Sequence, residues 1–155
     1  MATRLREPVL PDYDADGVGW AEAQTAALLA RRVDLLDWDN LAEEIAGVAR
    51  SEHDKLQSAL RLVQMHLLKW DNQPERRSRS WWRTIADQRD SAAMRLDQNP
   101  SLRPRLGTIL AGAYRGAQRN AAVEMKVRVD VLPPECPYSF DEIMTRPIEW
   151  DGELA

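Results

Sequence analysis

The chain is poor in the residues that carry most protein chemistry. It has one cysteine, Cys136, so no intramolecular disulfide can close and no cysteine-based zinc site can form. It has two histidines, His53 and His66, thirteen residues apart. On one helix that separation is about 20 Å, too far to share an ion. Its seven glycines are scattered, and none form a phosphate-cradling loop. No apolar run approaches the length of about 20 residues that spans a bilayer, and the first residues lack the apolar stretch of a signal peptide. The net charge of −4 excludes the overall field of a general nucleic-acid binder.

The remaining chemistry is weak by the same measure. A di-metal helical bundle would show Glu-x-x-His, but Arg50 and Val63 stand three residues before His53 and His66. The expectation is a His66 bonded within the bundle and a His53 near solvent, with no metal and no cofactor. Cys136 lies among prolines with no basic neighbour in sequence, which reads as a structural thiol. Glu43 and Glu44 are adjacent, so they point about 100° apart on a helix and do not share a target. No catalytic residue is assigned. A metal- or cysteine-dependent enzyme is the least favoured reading.

The 155 residues are 44% hydrophobic and 30% charged, the balance of one soluble globular domain, and helical spacing dominates. Trp20, Ala23, Ala27 and Leu28 place a first helix over 17–32, after Asp14 and Asp16 as caps. Val33–Asp37 is a break. Asp37 or Asp39 caps a long second helix over about 39–70. Its stripe is Leu41, Ile45, Val48, then Leu56, Leu60, Val63, Leu67 and Trp70, with a gap that invites a kink. Pro74 marks a connecting loop over 71–79, and Ser78 or Ser80 caps a third helix bearing Trp81, Ile85, Ala92 and Leu96. Ser101 is expected to cap a fourth helix with Pro104 in its first turn. Gly112, Ala113, Gly116 and Ala117 form a small-residue face on it. Each such glycine costs about 1 kcal/mol against alanine, which close approach of a neighbouring helix, or of a second copy, would offset. Val127–Leu132 reads as a short extended piece. Ser139 and Glu142 fit a capping box for a last short helix.

The expected architecture is therefore all-α: a single-domain bundle of four main helices plus a short C-terminal helix, around a long central second helix. Residues 1–12 are expected to be extended or disordered, and 130–155 to be a loop and short helix packed on the bundle. The expected core is Trp20, Leu28, Leu41, Ile45, Leu56, Leu60, Val63, Leu67, Trp81, Ile85, Leu106, Ile109 and Leu110. Gln24, Asn40, Gln73, Gln88 and Asn120 are candidate buried polar positions that set register.

A resemblance rests on specific runs. Tyr13-Asp14-Ala15-Asp16 with Trp20 and Gln24 comes first, then Asn40-Leu41-Ala42-Glu43-Glu44-Ile45. His66-Leu67-Leu68-Lys69-Trp70 and Gln73-Pro74-Glu75-Arg76-Arg77-Ser78-Arg79-Ser80-Trp81 are the most distinctive. Thr84-Ile85, Gln88-Arg89 and Pro134-Glu135-Cys136-Pro137-Tyr138 continue it. On these the chain resembles the bacterial family called domain of unknown function 29, over nearly its whole length. It departs in His53, in the doubled Trp81-Trp82, and in ending Pro147-Ile148-Glu149-Trp150 where members carry an apolar tail. The resemblance implies an all-helical fold and brings no activity, cofactor or catalytic residue.

One segment stands out as a surface. Lys69, Arg76, Arg77, Arg79 and Arg83 against Asp71 and Glu75 give residues 69–83 a net +3, and Trp70, Trp81 and Trp82 lie among them. Arginine with exposed aromatic rings binds protein partners, and equally phosphates and bases. The candidate binding residues are Lys69, Trp70, Arg76, Arg77, Arg79, Trp82 and Arg83. The competing reading is a structural helix corner, with Arg76, Arg77 and Arg79 paired to Glu43, Glu44, Glu52 or the acidic C-terminal segment. That segment holds seven acids over residues 130–155 against one base, Arg146. The function expected is a non-enzymatic cytoplasmic interaction module with an unknown protein partner. The alternative is a nucleic-acid-binding accessory factor using the same loop. No membrane association is expected, and a homo-oligomer is open.

Overall fold

Capping side chains mark most of the helix starts read from the sequence. In a computed structural model, which describes residues 10–150, Asp16 accepts from the Gly19 amide and opens α1, Gly17–Leu29. Asp37 accepts from the Asn40 amide at the head of α2, Trp38–Asn72. Ser78 accepts from the Trp81 amide and opens α3, Arg79–Gln98. α4 is Leu106–Met125 and α5 is Phe140–Thr145, the last opened by the full Ser139/Glu142 capping box. There is no strand among the described residues. The extended or disordered start expected over 1–12 falls largely on residues 1–9, outside those described.

Three local expectations are corrected. α1 stops at Leu29, short of Arg32, because Arg31 adopts a left-handed φ of 56° and the Arg32 amide turns back onto the Ala27 carbonyl. Ser101 caps no helix; Pro100–Arg105 is wound as 3-10 turns. Pro100 and Pro104 remove two amides, and Pro104 disfavours α geometry at Arg103, so the regular helix starts only at Leu106. The supposed extended piece at 127–132 holds a 3-10 turn, Val129–Val131. There Arg128 forks onto the Asp130 carboxylate at 2.5 and 3.1 Å and folds the segment back.

Two compact units divide the chain, Met1–Ala49 and Arg50–Ala155. In the second unit, Leu56, Leu60, Val63 and Leu67 of α2 pack with Ile85, Ala92 and Leu96 of α3, Ile109 and Ala113 of α4, and Ile143 of α5. A second cluster joins Met65 and Leu68 of α2 to Tyr114, Ala117 and Ala121 of α4 and to Leu132. Val63 to Trp70 are buried without interruption, so this stretch of α2 is covered on every side. α4 can lie so close because of its glycines. A Cβ at Gly112 would stand 2.8 Å from Gln57 Oε1, and one at Gly116 would stand 2.7 Å from Arg61 Cδ. The small-residue face is thus spent inside the fold.

A helix buried all round must satisfy the polar side chains it carries. His66 Nδ1 bonds the Leu62 carbonyl at 2.9 Å, and Lys69 pairs with Glu124. Gln64, which sequence patterning did not single out, is fully buried; its amide nitrogen is 3.7 Å from the Cys136 sulfur, while its amide oxygen accepts no hydrogen bond from the described residues. Among the expected polar positions, Gln24 is buried and Asn40, Gln73 and Gln88 are half-buried, whereas Asn120 is exposed on the outer face of α4.

Candidate functional site

The Arg/Trp segment is mostly engaged by its own fold. Lys69 is buried, and its ammonium sits 4.2 Å from the centre of the Trp81 ring while it pairs with Glu124. Trp70 is buried as well. Arg77 donates Nε to the Trp70 carbonyl at 2.9 Å and lies 5.1 Å from that ring, so the guanidinium caps the last turn of α2. Lys69, Trp70 and Arg77 therefore hold the corner together. Arg76, Arg79 and Arg83 are exposed, and Arg83 is 3.5 Å from Asp87 one turn along α3. Trp82 is 38% exposed, with Nε1 donating to the Ile148 carbonyl at 3.1 Å.

One pairing between the corner and the C-terminal segment runs from the segment's base to the corner's acid. Arg146, the only base of that segment, forks onto Asp71 of the corner at 2.9 and 3.1 Å. Tyr138 donates to the same carboxylate at 2.8 Å. Burial, then the bond to Asp71, pushes the Tyr138 phenol well above its ordinary value, so it remains a donor. Glu52, offered as a partner for the corner arginines, is engaged by Lys55 and Arg95 at 2.8 and 2.9 Å. Arg89 was not singled out on physical grounds. Its guanidinium donates to the carbonyls of Ile143, Arg146 and Glu142 at 2.7, 2.9 and 3.2 Å, collecting the open C-terminal end of α5. An arginine placed mid-helix gave no pattern signal for this, because its targets are backbone atoms more than fifty residues away.

A hollow of about 510 Å3 lies beside this region, lined by Leu110, Tyr114, Cys136 and Tyr138 among others. Tyr114 donates to the Pro133 carbonyl at 2.6 Å, and burial pushes its phenol up to about 12. The Cys136 thiol donates to the Tyr138 carbonyl at 3.4 Å, and burial raises its pKa, the opposite of nucleophile activation. Among the described residues no three His, Cys, Asp or Glu side chains gather where an ion could be held. No helix among them is long and apolar enough to cross a membrane.

The more open surface lies in the N-terminal unit. Trp20 donates to Asp37 at 3.1 Å and meets Tyr13 edge-on at 4.8 Å. Gln24 bridges the Leu35 carbonyl and the Asp37 amide at 3.3 and 2.8 Å, and Tyr13 bonds Glu44 at 2.5 Å. These bonds pin α1 to the head of α2. Hydrogen bonds from Asn40 and Trp20 hold the Asp37 carboxyl below its ordinary range. Beyond these fastenings the helices leave a groove of about 550 Å3. Leu28 and Ile45, expected in the core, line it at 51% and 71% exposure, and Leu41 is only half-buried. Val48, next on the same stripe, is 66% exposed. The stripe has helical spacing, but among the described residues of the N-terminal unit Ile45 and Val48 stay uncovered.

These features define an all-helical protein whose polar side chains serve mainly to fasten helix ends. The chain belongs to the family described as Domain of unknown function DUF29, which matches residues 13–148. No curated protein and no solved structure matches it.

Proposed function

We propose that this protein is a non-enzymatic protein-interaction module working in the cytoplasm, and that its principal contact surface is the groove of the N-terminal unit. The observation that carries the reading is the exposure of Leu28, Ile45 and Val48. These are large aliphatic side chains at helical spacing on α1 and α2; Leu28 and Ile45 line the groove and Val48 follows Ile45 on the same face of α2, and exposed apolar surface of this kind marks binding sites. The Arg/Trp segment keeps a smaller share of the role. Lys69, Trp70 and Arg77 act in the corner, and the exposed Arg76, Arg79, Trp82 and Arg83 form an auxiliary rim. The single half-buried cysteine suits a reducing compartment.

The test is a photo-activated cross-linking residue placed in turn at Leu28, Ile45 and Val48, with exposed Thr108 as control. The expected result is one shared adduct from the three apolar positions, absent from the control. Adducts no different from the control would refute the reading.

Nucleic acid is the second reading, favoured by Trp82 at the surface beside Arg79 and Arg83. Fluorescent single-stranded RNA and DNA titrated at low and near-physiological salt decide it. Saturable, salt-sensitive binding that is lost when Arg76, Arg79 and Arg83 become glutamate supports it. No binding at low salt removes it.

A further inference from the structure

We infer that the groove of the N-terminal unit takes a cationic amphipathic helix of a partner protein; this rests on reading the protein as an interaction module. Shape comes first. Trp38, Leu41, Ile45 and Val48 follow one another on α2 at steps of three, four and three, so they share one face. Leu41 and Ile45 line the groove, and the exposed Trp38 and Val48 extend the same face to either side, to a length of about 15 Å. Ala21, Thr25 and Leu28 of α1 form the opposite wall, also at helical spacing. Side chains of both helices line the groove, and an amphipathic helix can lay its apolar ridge against such a surface.

Charge then selects the occupant. Residues 10–49 carry nine acidic side chains against Arg31 and Arg32, a net −7, in a chain whose total is only −4. Asp14 and Glu44 lie on the groove wall itself. Charges at a rim choose partners more than they add affinity. A second copy would bring the same acidic rim against this one, and like charges facing each other disfavour that pairing. Anionic lipid headgroups are repelled for the same reason. A helix with leucine-like residues on one face and lysine or arginine on the flanks matches both features.

The experiment titrates the full-length protein against two synthetic fluorescent helices with identical leucine faces, one flanked by lysines and one by glutamates. Anisotropy is expected to report saturable binding of the lysine helix, at least about tenfold tighter than the glutamate helix at about 0.1 M salt, with the gap closing at about 1 M. Ile45→Asp should weaken it by at least about tenfold, and Val48→Asp provides an independent second lesion; wild-type circular dichroism in both shows that the fold is kept. Equal binding of the two helices, binding of neither, or indifference to both substitutions overturns the proposal. So does a wild-type dimer that Ile45→Asp dissociates, because a second copy then fills the groove. A shared cross-linked adduct at Leu28, Ile45 and Val48 combined with failure of the lysine helix would leave the module reading intact and reject this partner chemistry alone.

Discussion

Ile45 and Leu60 lie on the same helix and on the same type of stripe, yet truncation should cost much at one and little at the other. Leu60 is fully buried, and Leu60→Ala removes its transfer energy and leaves a cavity, a cost of about 2–5 kcal/mol. Ile45 is 71% exposed, so less than a third of the roughly 1.5–3 kcal/mol of full isoleucine burial is in play, or about 0.4–0.9 kcal/mol. Alanine regains about 0.4 kcal/mol of helix propensity. The net cost of Ile45→Ala is therefore within about 0.5 kcal/mol. With a urea slope of about 2 kcal/mol/M, Leu60→Ala should lower the midpoint by about 1–2.5 M and Ile45→Ala by no more than about 0.3 M. Far-ultraviolet circular dichroism reads both, and amide exchange over 38–49 reads any local loss in the N-terminal unit. A drop for Ile45→Ala as large as that for Leu60→Ala would mean that the stripe is covered in solution, and the groove argument would fail.

Other substitutions probe the fastenings. Arg77→Ala should cost about 1 kcal/mol through the lost bond to the Trp70 carbonyl, while Arg76→Ala, on the exposed side of the same turn, should stay within about 0.5 kcal/mol; equal effects in urea titrations would refute the corner assignment. Arg89→Lys should free the end of α5, because an ammonium cannot span three carbonyls, and amide exchange over 140–146 should rise sharply while α2 stays protected; unchanged exchange would contradict the capping role. Burial holds the His66 imidazole below its ordinary value, so the unfolded chain takes up a proton near pH 6.5 that the folded chain refuses. Stability should thus be level above about pH 7 and fall as the pH drops from about 6.5 through the folded value; a His66→Gln chain as acid-sensitive as the wild type between about pH 7 and 5 would refute this.

Helical periodicity located the elements well because caps, prolines and apolar spacing act within a few residues. It narrowed three caps to pairs that contain Asp16, Asp37 and Ser78, and it foretold Ser139 and the inward positions from Leu56 to Leu67. It could not separate Ile45 from Leu60. Spacing states that a face is apolar, whereas burial depends on whether another element lies over that face. The corner misled in the complementary way. Arginine and tryptophan in a loop look like a surface, but Lys69 and Trp70 fall on the stretch of α2 that is enclosed on all sides, and the carbonyl that Arg77 captures is invisible to residue patterns. Long-range polar contacts such as Arg89 with the end of α5, or Arg146 and Tyr138 with Asp71, need the tertiary fold before they can be read. Several residues that carry the family resemblance, among them Tyr13, Gln24, Asn40, Arg77, Arg89 and Tyr138, are the ones that make these fastenings. The resemblance therefore describes how the helices are tied together more than what they touch. A binding role must rest on the apolar side chains that the ties leave uncovered, which is why Leu28, Ile45 and Val48 weigh more here than the arginines.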